Sequence, residues 1–161
     1  MSDAPRVVYD CNILLQALMS TRGPSGRCLE LAYEGKVLLF CSAFAVAELR
    51  RHALDPRLVT RFRITEERVD LLVQNLERVA QFVIDIEEVF QYGRDPSDAH
   101  YVNLAMKVQA AWLVTRDKDL LDLIRPTIES DPFRRLCPVL RIVNPVAFLS
   151  ELALPSDHLG S

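Results

Sequence analysis

The sequence predicts an α/β protein built on a parallel sheet of about five strands, with helices covering both faces. Two patterns alternate along the chain. Short apolar runs rich in β-branched and aromatic residues fall at 6–9, 37–41, 82–86, 111–115 and 139–143. Longer stretches with helical periodicity separate them, as in repeated βαβ units. The chain of 161 residues, half of them hydrophobic and a quarter charged, is about one domain long and suffices for a sizeable core.

The elements follow in order. The first run, Val7–Val8–Tyr9, is closed by Asp10, and Ile13–Leu14–Leu15 begins an apolar helix. The Arg22–Gly23–Pro24 break precedes a second helix over 25–34, which leads to the strand at 37–41. A third helix, 42–53, follows that strand directly. The clearest helix is 65–81. Thr65 suits its N-cap, Glu66 and Glu67 its first turn, and Val69, Leu72, Val73, Leu76 and Ala80 form one stripe. Another runs over 96–109, with Asp95 as N-cap, Pro96 at the first position and Val102, Leu104, Ala105 and Val108 inside. The expected division is one domain over 1–152 and a polar tail over 153–161.

Composition narrows the function classes. The formal net charge is −3, so nucleic acid would have to be met by a local basic patch. The four cysteines, at 11, 28, 41 and 137, lack zinc-ligand spacing and read as buried free thiols of a reducing compartment. No apolar run approaches the roughly 18 residues that would span a bilayer. The expected location is cytoplasmic, with no membrane association.

The chemistry lies in where the acids fall. Asp10 ends the first strand and Asp117 follows the fourth. Glu48 sits in the helix after the second strand, and Asp98 in the first turn of the helix that precedes the fourth. Sites in open α/β sheets form outside the carboxyl ends of the strands. Each acid also has a structural explanation. Asp10 and Asp117 serve equally as N-caps, contributing about 1 kcal/mol each, and Asp98 answers a helix dipole. Glu48, set among Ala45, Val46, Ala47 and Leu49, fits a purely structural role least, because burying it unpaired is costly. Taken together, four converging carboxylates repel one another unless a cation is present. Oxygen ligands without His or Cys point to Mg²⁺ or Mn²⁺, which bind phosphate oxygens and stabilise in-line displacement at phosphorus.

The motifs that carry these acids are Val-Val-Tyr-Asp-Cys-Asn at 7–12, Ala-Glu-Leu at 47–49 and Asp-Pro-Ser-Asp at 95–98. Leu-Val-Thr-Arg-Asp-Lys-Asp-Leu-Leu at 113–121 and Asn-Pro-Val-Ala-Phe-Leu at 144–149 complete the set. In this order and spacing the chain resembles PIN-domain proteins, of the kind found as VapC-like toxins in prokaryotic toxin–antitoxin systems. The resemblance implies a three-layer α/β/α sandwich and Mg²⁺- or Mn²⁺-dependent endonucleolytic cleavage of RNA. Carried over by position, Asp10, Glu48, Asp98 and Asp117 become the metal-binding acids. Asn12 supports the first Asp, and Thr115 stands beside the site. Asp119 is a secondary candidate that supplements Asp117, and Asp95 is chiefly the cap before Pro96. Cys11 replaces the more frequent Thr, with its side chain expected to point away from the acids. Relatives also imply a small antitoxin partner and a homodimer.

Arg50, Arg51, His52, Arg57, Arg61 and Arg63 form the densest basic stretch, opposed only by Asp55. Arg50, Arg51 and Arg116 are candidates for RNA phosphate contacts, against the alternative of a solvated face with local ion pairs. His100 reads as structural. The rival reading from another class is a non-catalytic PIN-like domain that binds RNA or protein. A receiver-type domain is disfavoured by Cys11–Asn12 after Asp10 and by Asn144–Pro145 after the last strand. A haloacid-dehalogenase-like phosphatase is disfavoured by Asn12.

Overall fold

The computed structural model describes residues 3–92, 95–124 and 131–153. Most of the expected tail lies outside the described residues. Five parallel strands, β1 (Arg6–Tyr9), β2 (Leu38–Cys41), β3 (Gln81–Phe82), β4 (Trp112–Val114) and β5 (Arg141–Val143), form one sheet in the order β3-β2-β1-β4-β5. Central β1 pairs Val7 with Leu39 on one side and with Trp112 on the other. Val7 and Val8 point to opposite faces, as successive strand residues must, and both are fully buried. The sheet is therefore covered on both faces, and the expected α/β class holds.

Nine helices occur among the described residues: α1 (Cys11–Met19), α2 (Pro24–Tyr33), α3 (Ala43–Ala53), α4 (Pro56–Phe62), α5 (Glu66–Val79), α6 (Pro96–Val108), α7 (Lys118–Asp122), α8 (Asp131–Leu136) and α9 (Pro145–Leu152). Helices α1, α2, α3 and α5 pack against one another, and α6 lies along β1, β2 and β4. Their starts are set by side-chain caps. Ser42 accepts from the Ala45 amide (3.2 Å), Thr65 from Arg68 (3.1 Å) and Asn144 from Ala147 (2.8 Å). Val69, Leu72, Val73 and Leu76 are buried as expected, but Ala80 is the half-buried C-cap of α5. None of the described helices is long and apolar enough to cross a membrane.

Two differences from the sequence reading have clear causes. The third strand covers two residues rather than the expected 82–86. Its partner β2 ends at Cys41, opposite Phe82, and beyond that point Asp85 takes a positive φ of 55° while the carbonyls of Ile84 (3.0 Å) and Asp85 (2.6 Å) accept from Lys107 Nζ. Conversely, part of the basic stretch folds as α4, which starts at the Asp55 cap with Pro56 at its first position. The Arg68 guanidinium closes this corner by donating to Leu18 O (2.5 Å), Phe62 O (2.9 Å) and Arg63 O (3.0 Å), carbonyls at the ends of α1 and α4. Gly26 is required where α2 crosses the preceding turn, because a Cβ there would stand 2.3 Å from Thr21 O.

Candidate metal centre

Strand order reverses at β1, since the chain passes from β1 outward to β2 and later returns to β4 on the other side. This switch point opens a crevice at the carboxyl ends of β1 and β4. Asp10 leaves β1 at one wall, and Thr115–Asp117 leave β4 at the other. Glu48 enters from α3, and Asp98 from the first turn of α6. Asp10, Glu48, Asp98 and Asp117 all line one cavity of about 190 Å³, together with Cys11, Asn12, Arg51, His52, Asp95, Ser97 and Tyr101. Asp10, Glu48 and Asp98 are buried.

The acids act as helix caps and line the shared cavity at the same time. Asp10 Oδ1 accepts from the amides of Asn12 (2.8 Å) and Ile13 (3.2 Å), and its Oδ2 accepts the Thr115 hydroxyl. Thr115 Oγ1 in turn accepts from the Asp117 amide (2.9 Å), and Asp117 Oδ1 caps α7 through the Asp119 amide (2.8 Å). Thr115, fully buried, thus links the two walls. Asp95 caps α6 through Ser97 N (2.9 Å) and also lines the cavity. Asp119, the secondary candidate beside Asp117, lies near Asp98 as well. One oxygen each of Asp95, Asp98 and Asp119 lie within 4.8 Å of one another, so it groups with Asp98 across the loop.

Electrostatics mark the site as short of positive charge. Burial pushes the Asp10 carboxyl up to about 6, against the lowering effect of its hydrogen bonds from Thr115, Ile13 and Asn12. Burial, then the charges of Asp117, Asp95 and Asp10, push Asp98 up to about 8. Asp98 Oδ2 is buried and accepts no hydrogen bond, which is costly for a carboxylate. An orphaned oxygen within a set of hard oxygen donors fits a divalent cation of the Mg²⁺ or Mn²⁺ type.

Cys11 corrects the sequence reading. Its Sγ points toward the acids and donates to Glu48 Oε2 at 3.4 Å, because the first turn of α1 faces α3 across the cavity. All four cysteines are buried and free, as expected. The arginine candidates separate. Arg50 is turned to Asp70 on α5 (2.6 Å), Arg57 pairs with Asp55 (3.0 Å), and Arg51 remains at the cavity, 3.8 Å from Glu48 Oε1. Arg116 is exposed beyond β4 and is not among the cavity-lining residues. His100 is held by Ser42 Oγ (2.8 Å) and stacks on Phe44, a structural role that ties α6 to the start of α3. Sequence reasoning passed over Tyr101 and read His52 only as part of the basic stretch. Both were within reach of helical spacing, one turn from Asp98 and from Glu48.

The PIN domain pattern matches residues 6–119, which takes in every acid of the cavity, and the chain belongs to the PIN-domain family. An uncharacterized protein of Methanocaldococcus jannaschii is 29% identical over 118 residues, covering 73% of this chain and 74% of that protein. The fold is similar to a chain of VapBC2 from Rickettsia felis, solved with a fragment of promoter DNA. The TM-score is 0.52 at 17% identity, covering 86% of this chain and 98% of that one.

Proposed function

We propose that this PIN-domain protein is a metal-dependent endoribonuclease that hydrolyses RNA phosphodiester bonds. The observation that carries the reading is the convergence of four carboxylates from separate segments on one crevice, with the Asp98 Oδ2 acceptor left unpartnered. Asp10, Glu48, Asp98 and Asp117 would hold Mg²⁺ or Mn²⁺, with Asp95 and Asp119 able to join through Asp98. Such a cation, when bound, supplies Lewis acidity at phosphorus and lowers the pKa of water. The chain's own residues do the positioning. Thr115 fixes the orientation of Asp10, Asn12 lines the cavity, and Arg51 offers an exposed guanidinium for a phosphate oxygen. The fold it shares with a VapBC2 chain supports a role as the toxin of a toxin–antitoxin pair with a small antitoxin partner.

The test is incubation of a structured RNA pool with the purified protein in Mg²⁺, Mn²⁺ or EDTA, beside Asp10→Asn. The expected result is cleavage that needs the metal and Asp10 and leaves linear phosphate ends, because water and not the neighbouring 2′-hydroxyl attacks phosphorus. Cyclic phosphate ends, or cutting that survives EDTA, would contradict it. RNA binding without cutting in either metal would favour the non-catalytic alternative.

A further inference from the structure

One wall of the cavity carries a donor set of different chemistry. Cys11 follows Asp10 at the start of α1, while Glu48 and His52 stand one turn apart on α3 and share a face. Cys11 Sγ is 3.4 Å from Glu48 Oε2, and His52 Nε2 is 3.8 Å from the same oxygen. One donor atom from each of the three lies within 4.8 Å of the other two. A tetrahedral zinc ion, with bonds of about 2.0–2.3 Å, sets its ligand atoms about 3.3–3.6 Å apart. The trio matches those edges after small side-chain rotations, which the half-exposed His52 can make. Sulfur, nitrogen and oxygen donors together suit a borderline cation and not Mg²⁺.

A second observation points into the same space. The Tyr101 hydroxyl belongs to a side chain only 2% exposed and lines the cavity, where the weakly interacting Cys11 sulfur stands beside it and no oxygen or nitrogen partner meets it. A water on the fourth position of a tetrahedral ion would satisfy it.

We propose that Cys11, Glu48 and His52 form a site for a borderline divalent cation such as Zn²⁺, and that filling it switches off the hard-cation centre by withdrawing Glu48. On binding, the Cys11 thiol releases its proton to solvent and the thiolate pairs with the metal, with no change of oxidation state. The binding half stands on the trio alone. The switch half rests on the nuclease reading above.

Co²⁺ replaces Zn²⁺ as the probe, with the full chain kept reduced. The expected spectrum shows a thiolate-to-cobalt charge-transfer band and strong tetrahedral absorption, both displaced by Zn²⁺. Cys11→Ser removes the charge-transfer band. His52→Gln, at an exposed position, weakens Zn²⁺ binding at least tenfold. Asp98→Asn leaves the band in place, which separates this site from the hard-cation centre. A wild-type spectrum without the band, a band that survives Cys11→Ser, or unweakened Zn²⁺ binding by His52→Gln overturns the site. If the protein cuts RNA in Mg²⁺, Zn²⁺ inhibits the wild type and inhibits His52→Gln at least tenfold less. Equal inhibition overturns the switch.

Discussion

The Thr115 hydroxyl donates to Asp10 Oδ2 across the gap between β4 and β1, 105 positions apart in the chain. Thr115 Oγ1 also accepts the Asp117 amide, so one buried side chain sets the spacing of two acids on opposite walls. Thr115→Val keeps the shape but removes both bonds. Losing a buried partner costs about 1–3 kcal/mol, so the variant should melt lower and lose at least tenfold in RNA cleavage. Thr115→Ser should retain most of both. Thermal melts and initial rates of the two variants check this, and a Thr115→Val enzyme with wild-type rates would contradict it.

The acids should make metal-free stability fall as pH rises. Asp10 and Asp98 are pushed up to about 6 and about 8, whereas the unfolded chain titrates near the ordinary carboxylate value. Between about pH 4 and pH 8 the native state therefore holds more protons than the unfolded state, and this contribution is lost as pH rises through the folded values. Melting temperature in EDTA should drop across that window, and Mg²⁺ should restore it most at the alkaline end. A metal-free stability that rises from pH 5 to pH 8 would count against the repulsive cluster.

The two neighbouring arginines should differ in their effect on RNA binding. Arg50 is held by Asp70 at 2.6 Å, while Arg51 lines the acid cavity. Arg51→Ala should reduce the slope of log affinity against log salt by about one, and Arg50→Ala should leave it unchanged. Filter binding to inactive Asp10→Asn protein at several salt concentrations measures both slopes. The reverse order would place RNA along α5.

Gly26→Ala should be destabilising although alanine favours helices. The added methyl would meet Thr21 O at 2.3 Å, a backbone atom that moves only with its turn. An overpacking penalty of about 1–3 kcal/mol follows, readable as a lower denaturant midpoint with unchanged slope.

Much of this was legible because local signals agreed with global ones. Asp95 before Pro96, Thr65 before Glu66 and Ser42 after Cys41 mark helix starts that the structure keeps. The four acids could be gathered from sequence because Asp10, Asp98 and Asp117 follow a strand or open a helix at one sheet edge, and Glu48 lies on the helix that follows β2. What escaped depends on contacts distant in sequence. Asn103 pins the backbone of Val89 (3.1 Å) and Phe90 (2.7 Å) with a buried amide that has no local pattern. The length of β3 is set by where β2 ends at Cys41, and the carbonyls that follow are held by Lys107, 22 and 23 residues away. The direction of Cys11 was misread because the packing of α1 against α3, not its own neighbours in sequence, decides which way it faces.

Mn²⁺ binding tests the central claim most directly, because it reads the carboxylate cluster without needing an RNA target. Titration followed by electron paramagnetic resonance should show Mn²⁺ held by the wild type. Asp10→Asn, Glu48→Gln, Asp98→Asn and Asp117→Asn should each bind at least tenfold more weakly, and Cys11→Ser should bind like the wild type. Unchanged binding in Asp10→Asn and Asp98→Asn would contradict the account, since it would leave the cavity without its cation.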